Sequence, residues 1–415
     1  MPADDLRTFT LGCGAQLVVE RMPGTRSTAV AWMLPVGTGA DPAGDAGEGE
    51  STVLAELVLR GAGGMSSRVL SDAFDSIGAQ RHGTAGVHHL TLTTLCMGDR
   101  LPEALRLLAL CVREPNLDPE SLDAVRAIAL QALNGLQDEP QHLVSVRLRE
   151  HAMPAPFNRS GFGTEGGLKS LTPAGIRDAW RRRAVPGGSI IGVAGDAEPE
   201  RVRDLLERML AGWTGTAPEI AETAPAGRGT HLVPLDTQQT HLAIGLDGPA
   251  ERVPGSWEHR VAIRVLGGAA SSRLFTEVRE KRGLCYSVGA TAALGRDRGL
   301  VQVYAGSTHD RAPTTLECIL RELERFEQGI SDEEFRDAVV GAKAGLVMSG
   351  ESSSARAAAI SSQLWRVGRA MTLAELAAEF DRLTLRGVNA HIAQSMGAAW
   401  RAGRTQVTVA PAPSA

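Results

Sequence analysis

Arg279 and Tyr286, in the second half of the sequence, have side chains of the types that could act together on one polar group of a substrate. A guanidinium and a phenol both donate hydrogen bonds, and such donors stabilise a carbonyl oxygen that gains negative charge during nucleophilic attack. The sequence contains only two tyrosines, Tyr286 and Tyr304, so a phenol at this position is not explained by composition. The alternative is a solvated helix arginine beside a half-buried strand tyrosine.

The segment from Ser271 to Tyr286 predicts the elements that position this pair. It favours a helix that carries Arg279, a stop at Gly283 and a strand that begins with Tyr286. The two side chains would then lie on either side of one turn. We therefore expect both of them to face the same cleft.

The same pattern occurs earlier in the chain without the arginine and the tyrosine. Ser66-Ser67-Arg68 precedes Ser271-Ser272-Arg273 by 205 positions, and Leu117–Glu120 precedes Ile330–Glu333 by 213. Two matches in the same order indicate a duplication. Ser331 and Glu334 also form the pattern of a helix capping box.

Each half repeats strands and helices in an order typical of an α+β domain, an antiparallel-rich sheet with helices on one face. The segment 215–230 is rich in Ala, Pro and Gly and is predicted to be a linker. The predicted domains are therefore residues 1–214 and 231–415.

Composition narrows the class of protein. The 415 residues are 43% hydrophobic and 22% charged, with a formal net charge of -5, which argues against a nucleic-acid partner. Five scattered cysteines without a CxxC spacing favour neither a disulfide framework nor a cysteine zinc site.

No signal peptide and no apolar run of ~20 residues is present, so we expect a cytoplasmic protein without a membrane partner. The single short basic run, Arg181–Arg183, is predicted to be a solvated helix end.

The duplicated halves and the stretch around Arg279 and Tyr286 resemble the pitrilysin/insulinase family of zinc metallopeptidases, especially its short bacterial and mitochondrial-processing-peptidase-like members. The resemblance covers the whole chain. It implies two α/β sandwich domains that form half of a clam-shell peptidase, with Arg279 and Tyr286 facing the zinc of the other half. It also implies a glycine-rich, substrate-binding segment at Gly267, Gly268, Ser271 and Ser272, although small residues there equally suit a tight helix–helix corner.

Active members of that family bind zinc through His-x-x-Glu-His and a later glutamate, and the first glutamate activates water. In this chain Thr52, Ala55 and Glu56 stand at the three motif positions, and Ala132 stands at the third ligand. The degenerate motif therefore predicts no zinc in this chain. His82, His88 and His89 offer no substitute, because neighbouring strand residues point to opposite faces. Trp32 and Met33 are predicted on an edge strand, where family members add the substrate as an extra strand. In this chain that edge could serve a structural role alone.

The resulting hypothesis is a non-catalytic, substrate-binding subunit of a heterodimeric zinc metalloendopeptidase that processes peptides. Arg279 and Tyr286 would act on the substrate in trans, and a homologous partner with His-x-x-Glu-His would bring the zinc and the general base. This chain would be inactive alone. The alternative is a pseudo-peptidase that serves as a structural or peptide-binding scaffold without cleavage.

Overall fold

The computed structural model describes residues 5–397, 400 and 404–412. The strands are β1 (Asp5–Thr10), β2 (Gln16–Arg21), β3 (Ser27–Leu34), β4 (Gly61–Ala62), β5 (Met65–Ser66), β6 (Gln80–Ala85), β7 (Leu90–Met97), β8 (Ile190–Gly195), β9 (Gly229–Pro234), β10 (Thr240–Gly248), β11 (Ser287–Leu294), β12 (Gly299–Ser307) and β13 (Thr405–Ala410). The α-helices are α1 (Glu50–Leu57), α2 (Ser67–Ser76), α3 (Leu101–Arg113), α4 (Pro119–Gly135), α5 (Pro140–Ala152), α6 (Glu165–Ser170), α7 (Pro173–Arg183), α8 (Pro199–Met209), α9 (Ser256–Gly267), α10 (Ala312–Phe326), α11 (Asp332–Gly350), α12 (Ser353–Val367), α13 (Leu373–Asp381) and α14 (Leu385–His391).

These elements form two compact units, and each unit takes segments from both halves of the sequence. The first comprises the chain up to Asn134, Arg159–Glu222 and Met348–Thr372; the second comprises Gly135–Asn158, Thr223–Val347 and the chain from Leu373. The α+β class that the sequence predicts is confirmed.

The first unit contains a six-stranded sheet in the order β1-β2-β8-β3-β7-β6. β2 and β8 are parallel, whereas the other neighbours are antiparallel. β3 is central because β8, distant in sequence, inserts beside it, and Trp32 and Met33 are buried. The prediction that Trp32 and Met33 lie on an edge strand is therefore wrong.

The second unit contains a five-stranded sheet in the order β11-β12-β10-β13-β9. Reading β6, β7, β3, β8 and β2 in the place of these strands gives the order of the first sheet, and β9 and β13 are parallel as β2 and β8 are. The predicted duplication is thus confirmed at the level of strand order and direction.

The helices α5 and α12 occupy equivalent places in the two halves of the sequence. Each packs on the sheet formed by the other half: α5 belongs to the second unit and α12 to the first. α12 covers β2, β3 and β8 of the first sheet, where Ile360 and Leu364 join a buried apolar cluster. α5 packs on β10 and β13 of the second sheet, close to Gly245. Each sheet therefore has one helix on the face opposite its main helical layer, which the sequence patterns did not predict.

Within the residues that the structure describes, no helix combines the length and the apolar character that a membrane span requires.

Candidate functional site

The structure brings Arg279 and Tyr286 into contact. The guanidinium carbon of Arg279 lies 5.1 Å from the centroid of the Tyr286 ring and 4.5 Å from that of Phe275. Such cation–π contacts hold a guanidinium in place without consuming its N–H donors. Tyr286 is 78% exposed, so its hydroxyl group is accessible to a ligand.

Arg279 lies on a π-helical segment, Phe275–Glu280. Lys281 N–H donates to the carbonyl of Thr276 at 2.9 Å, the wide spacing of a π-turn. Gly283 ends the segment with a φ of 58°, a conformation that favours glycine. The glycine stop was predicted correctly, whereas the π-winding was not; such segments are frequent at functional sites.

The duplicated helix α2 shows what this winding changes. At its end, Ala79 N–H donates to the carbonyl of Phe74 at 3.0 Å, five positions back. In the second half, Leu284 N–H reaches the carbonyl of Val278 at 3.0 Å, six positions back. The closing hydrogen bond of the second helix therefore spans one residue more than that of α2, and it lies two residues before Tyr286.

Three side chains fix the turn between Arg279 and Tyr286. Arg311 donates to the carbonyl of Gly283 at 2.8 Å, and the Ser307 hydroxyl donates to that of Leu284 at 2.7 Å. Thr315 Oγ1 lies 3.0 Å from Ser307 Oγ and 3.3 Å from the same Leu284 carbonyl. Sequence reasoning missed these residues, because no local pattern links them to the turn.

The second tyrosine has different surroundings. The Tyr304 hydroxyl lies 2.9 Å from His241 Nδ1, and burial raises the pKa of Tyr304 to about 12, with Cys285 nearby. Burial also lowers the pKa of His241, assisted by His309. Tyr304 is therefore a neutral phenol engaged within its own unit, whereas Tyr286 presents its hydroxyl outward.

Gly267 and Gly268 lie at a tight corner between α9 and β11. A Cβ on Gly267 would lie 2.2 Å from the amide nitrogen of Ala290, and Gly268 N–H caps α9 by donating to Arg264 at 2.9 Å. Of the two interpretations left open by the sequence, this geometry fits a packed corner, although it is formed by a helix and a strand and not by two helices.

Ser271 and Ser272 differ in exposure but border the same cleft. Ser271 is exposed, and Ser272 is buried, with its Oγ lacking a hydrogen-bond partner among the described atoms. Both serines line a cleft of about 260 Å³ to which neither Arg279 nor Tyr286 contributes. The structure therefore does not bring these serines to Arg279 and Tyr286.

The helix that aligns with the zinc motif is α1, and its side chains do not fit a metal. Thr52 donates its hydroxyl to the carbonyl of Gly161 at 2.8 Å, and Ala55 is 3% exposed. Glu56 forms an ion pair with Arg60 at 2.9 Å, and Ala132 lies exposed on α4. Across residues 5–397, 400 and 404–412, no group of three or more His, Cys, Asp or Glu could hold a metal ion. We therefore derive no metal chemistry from this helix.

The supports of α1 are nevertheless extensive. Asp41 accepts hydrogen bonds from the amide and hydroxyl of Ser51 at the start of the helix, and Arg183 pairs with both Asp41 and Glu50. Burial raises the pKa of Glu50, while Arg183 opposes that shift. Arg183 is 5% exposed, so the prediction of a solvated helix end is wrong at this residue, because α7 places it against the start of α1.

Two family descriptions match consecutive parts of the chain. Residues 17–165 match "Insulinase (Peptidase family M16)", and residues 170–340 match "Peptidase M16 inactive domain". The chain belongs to the pitrilysin/insulinase peptidase family. Its expected family resemblance is thereby confirmed over both halves.

Relatives of this family from distant bacteria match nearly the whole chain. A Mycobacterium tuberculosis protein named an uncharacterized zinc protease is 28% identical and covers 92% of this chain and 89% of its own. The uncharacterized zinc protease YmxG of Bacillus subtilis is 25% identical, with 92% and 94% covered. Among solved structures, a protease from Helicobacter pylori has a TM-score of 0.89 at 19% identity, covering 98% of this chain and 100% of that one. The M16 inactive domain from Pseudomonas fluorescens has a TM-score of 0.88 at 19% identity and covers 98% of both chains.

The duplicated architecture of the family also reveals a reversed pair in the first half of this member. At the offset of 205 positions, Phe74 stands in the place of Arg279 and Arg81 in that of Tyr286. The guanidinium carbon of Arg81 lies 4.8 Å from the Phe74 ring centroid. The cation and the ring are thus exchanged, while the contact between them is kept.

Proposed function

We propose that this chain is the non-catalytic, substrate-binding subunit of a heterodimeric zinc metalloendopeptidase that processes peptides. The observation that carries the proposal is an assembled Arg279–Tyr286 pair in a chain whose zinc-motif positions are Thr52, Ala55 and Glu56. A pair of donors in a chain with these motif positions implies a second chain that brings the metal.

The chemistry follows from the exposed phenol and the stacked guanidinium. Tyr286 donates its hydroxyl to the carbonyl oxygen of the peptide bond under attack, and Arg279 contributes positive charge and in-plane N–H donors. The partner supplies His-x-x-Glu-His, with the zinc and the general base. Zinc there would activate the attacking water.

The relatives support placing the chain in a proteolytic system. The match of residues 170–340 to a domain described as inactive, and the zinc protease names of the relatives, agree with a role beside a catalytic subunit. The exposed Tyr286 supports action on a ligand from outside this chain.

Purification of the chain alone and with a candidate partner that carries His-x-x-Glu-His tests the proposal. We expect zinc only in the partner and hydrolysis of an unfolded peptide only by the mixture. A chelator-sensitive peptidase activity in the homogeneous chain alone would contradict it. A partner variant with Gln in place of the motif glutamate serves as the control for contaminating proteases.

A peptide-binding scaffold without cleavage is the second candidate. The contact of Arg279 with both Phe275 and Tyr286 favours it, because such stacking also stabilises the turn without any chemistry. A stable complex with the zinc-bearing partner that binds peptides but never cleaves them would establish this role.

A further inference from the structure

A cleft of about 420 Å³ in the first unit lies beside the helix α1. Its polar lining consists of Glu56, Arg60, Ser67, Ser71, Arg81 and His82. We call it the Arg81 cleft. None of the roles proposed above uses it.

Arg81 is held firmly at this cleft. Its guanidinium lies over the ring of Phe74, which is fully buried, and its Nη2 donates to Ser71 Oγ at 2.7 Å. The side chain is half-buried. A guanidinium that is fixed in this way, with N–H donors left over, loses little conformational entropy when it binds a ligand.

The charge of the cleft is positive on balance. Glu56 is the only carboxylate in the lining, and it is already paired with Arg60 at 2.9 Å. Over the described ranges of the chain, Arg81 forms no ion pair. Ser67 begins α2, whose N-terminal end adds a partial positive charge.

We propose that the Arg81 cleft binds a carboxylate group of a peptide ligand. A planar guanidinium donates two parallel hydrogen bonds to a carboxylate, and a single unpaired arginine matches one negative charge. A phosphate dianion fits less well, because Glu56 borders the same space. The choice of a peptide as the carrier rests on the proposed function. The carboxylate comes either from the C-terminus or from an acidic side chain.

Calorimetric titration of the isolated chain with three short unstructured peptides of one sequence tests this. The first has a free C-terminus and no acidic residue, the second is its C-terminal amide, and the third is the amide with one internal glutamate. We expect a peptide with a carboxylate to bind at least ~10-fold more tightly than the plain amide. Tighter binding of the first peptide than of the plain amide identifies the C-terminus as the source of the carboxylate, and tighter binding of the third identifies an acidic side chain.

Arg81→Gln should remove this preference for a carboxylate. Arg81→Lys should keep part of it, because lysine has the positive charge but lacks the two parallel N–H donors of the guanidinium. Arg68→Gln is the matched control, because Arg68 lies on α2 with a 92% exposed side chain outside the lining. Thermal unfolding of each variant verifies that it is folded. Equal affinity of the wild-type chain for all three peptides, or unchanged binding by folded Arg81→Gln, would overturn the proposal. The measurement needs neither partner nor metal, so failure of the heterodimer to cleave peptides leaves it standing.

Discussion

Arg279 places its guanidinium carbon 5.1 Å from the ring centroid of Tyr286, across the turn at Gly283. The contact fixes the ring while its hydroxyl remains open, since Tyr286 is 78% exposed. In the first half the partners are exchanged, and the ring of Phe74 is buried. Both tyrosines of the chain lie in the second half, so only that half can present a phenol at this turn.

Tyr286→Phe tests the role of that phenol in the complex with the zinc-bearing partner. Loss of one donor to a charged transition state lowers turnover about 10²-fold, with a smaller effect on assembly. Tyr304→Phe is the control, because its hydroxyl bonds to His241 instead of facing outward. Steady-state hydrolysis of an unfolded peptide gives the rates, and an unchanged rate in Tyr286→Phe would reduce Tyr286 to a structural residue.

Gly267→Ala should destabilise the second unit. The new Cβ would lie 2.2 Å from the amide nitrogen of Ala290, and the required shift of α9 or β11 costs about 1–3 kcal/mol. Gly345→Ala is the matched control on α11, where nothing lies within 4 Å and alanine stabilises a helix by about 0.5–1 kcal/mol. Denaturant unfolding should therefore give shifts of opposite sign for the two variants.

Arg356→Met should be strongly destabilising. Arg356, on α12, donates two hydrogen bonds to Glu20, at 2.7 and 2.9 Å, and the two side chains are 2% and 3% exposed. Removing the arginine leaves a buried, unpaired carboxylate, which costs about 3–5 kcal/mol. Lys169→Met, which removes a surface pair with Glu165, should change the free energy of unfolding by less than about 1 kcal/mol. Similar losses in the two variants would contradict the burial argument.

Acid should destabilise the second unit through His259. Burial lowers the pKa of this histidine to about 3, and His391, 3.1 Å away, and Arg260 lower it further. In the unfolded chain this histidine is protonated near the ordinary histidine pKa of ~6.5, whereas in the folded chain it stays neutral down to about pH 3. The contribution of His259 to the free energy of unfolding is therefore constant above pH ~6.5 and falls as the pH drops toward 3.

Chemical unfolding at a series of pH values measures this slope. His259→Gln should flatten it in part, because burial also lowers the pKa of His391, which Glu258 opposes. His142→Gln, on the exposed surface of α5, is the matched control for the loss of a histidine. A wild-type slope in His259→Gln would show that other groups control the acid response.

Local features could be predicted from the sequence because neighbouring residues determine them. Gly283 ends its helix, and Ser331 and Glu334 form the expected capping box, with bonds of 2.7 and 3.2 Å. Two pairs of similar segments predicted the duplication. The single short turn between Arg279 and Tyr286 predicted that their side chains lie close together.

Features that depend on distant segments could not be predicted. Trp32 is central because β8 inserts beside β3, and Arg183 is buried because α7 meets the start of α1. The anchoring of the turn by Arg311 also depends on a partner far along the chain. Hydrophobic periodicity reports which residues are buried but does not report by which segment.

The exchange of α12 has a consequence for synthesis. A ribosome that has completed residue 230 has released all six strands of the first sheet, which end at Gly195. The helix whose Ile360 and Leu364 cover Ala29 and Met33 does not yet exist. The apolar face of that sheet therefore remains uncovered while more than one hundred further residues are synthesised. During this time the nascent chain needs protection from aggregation.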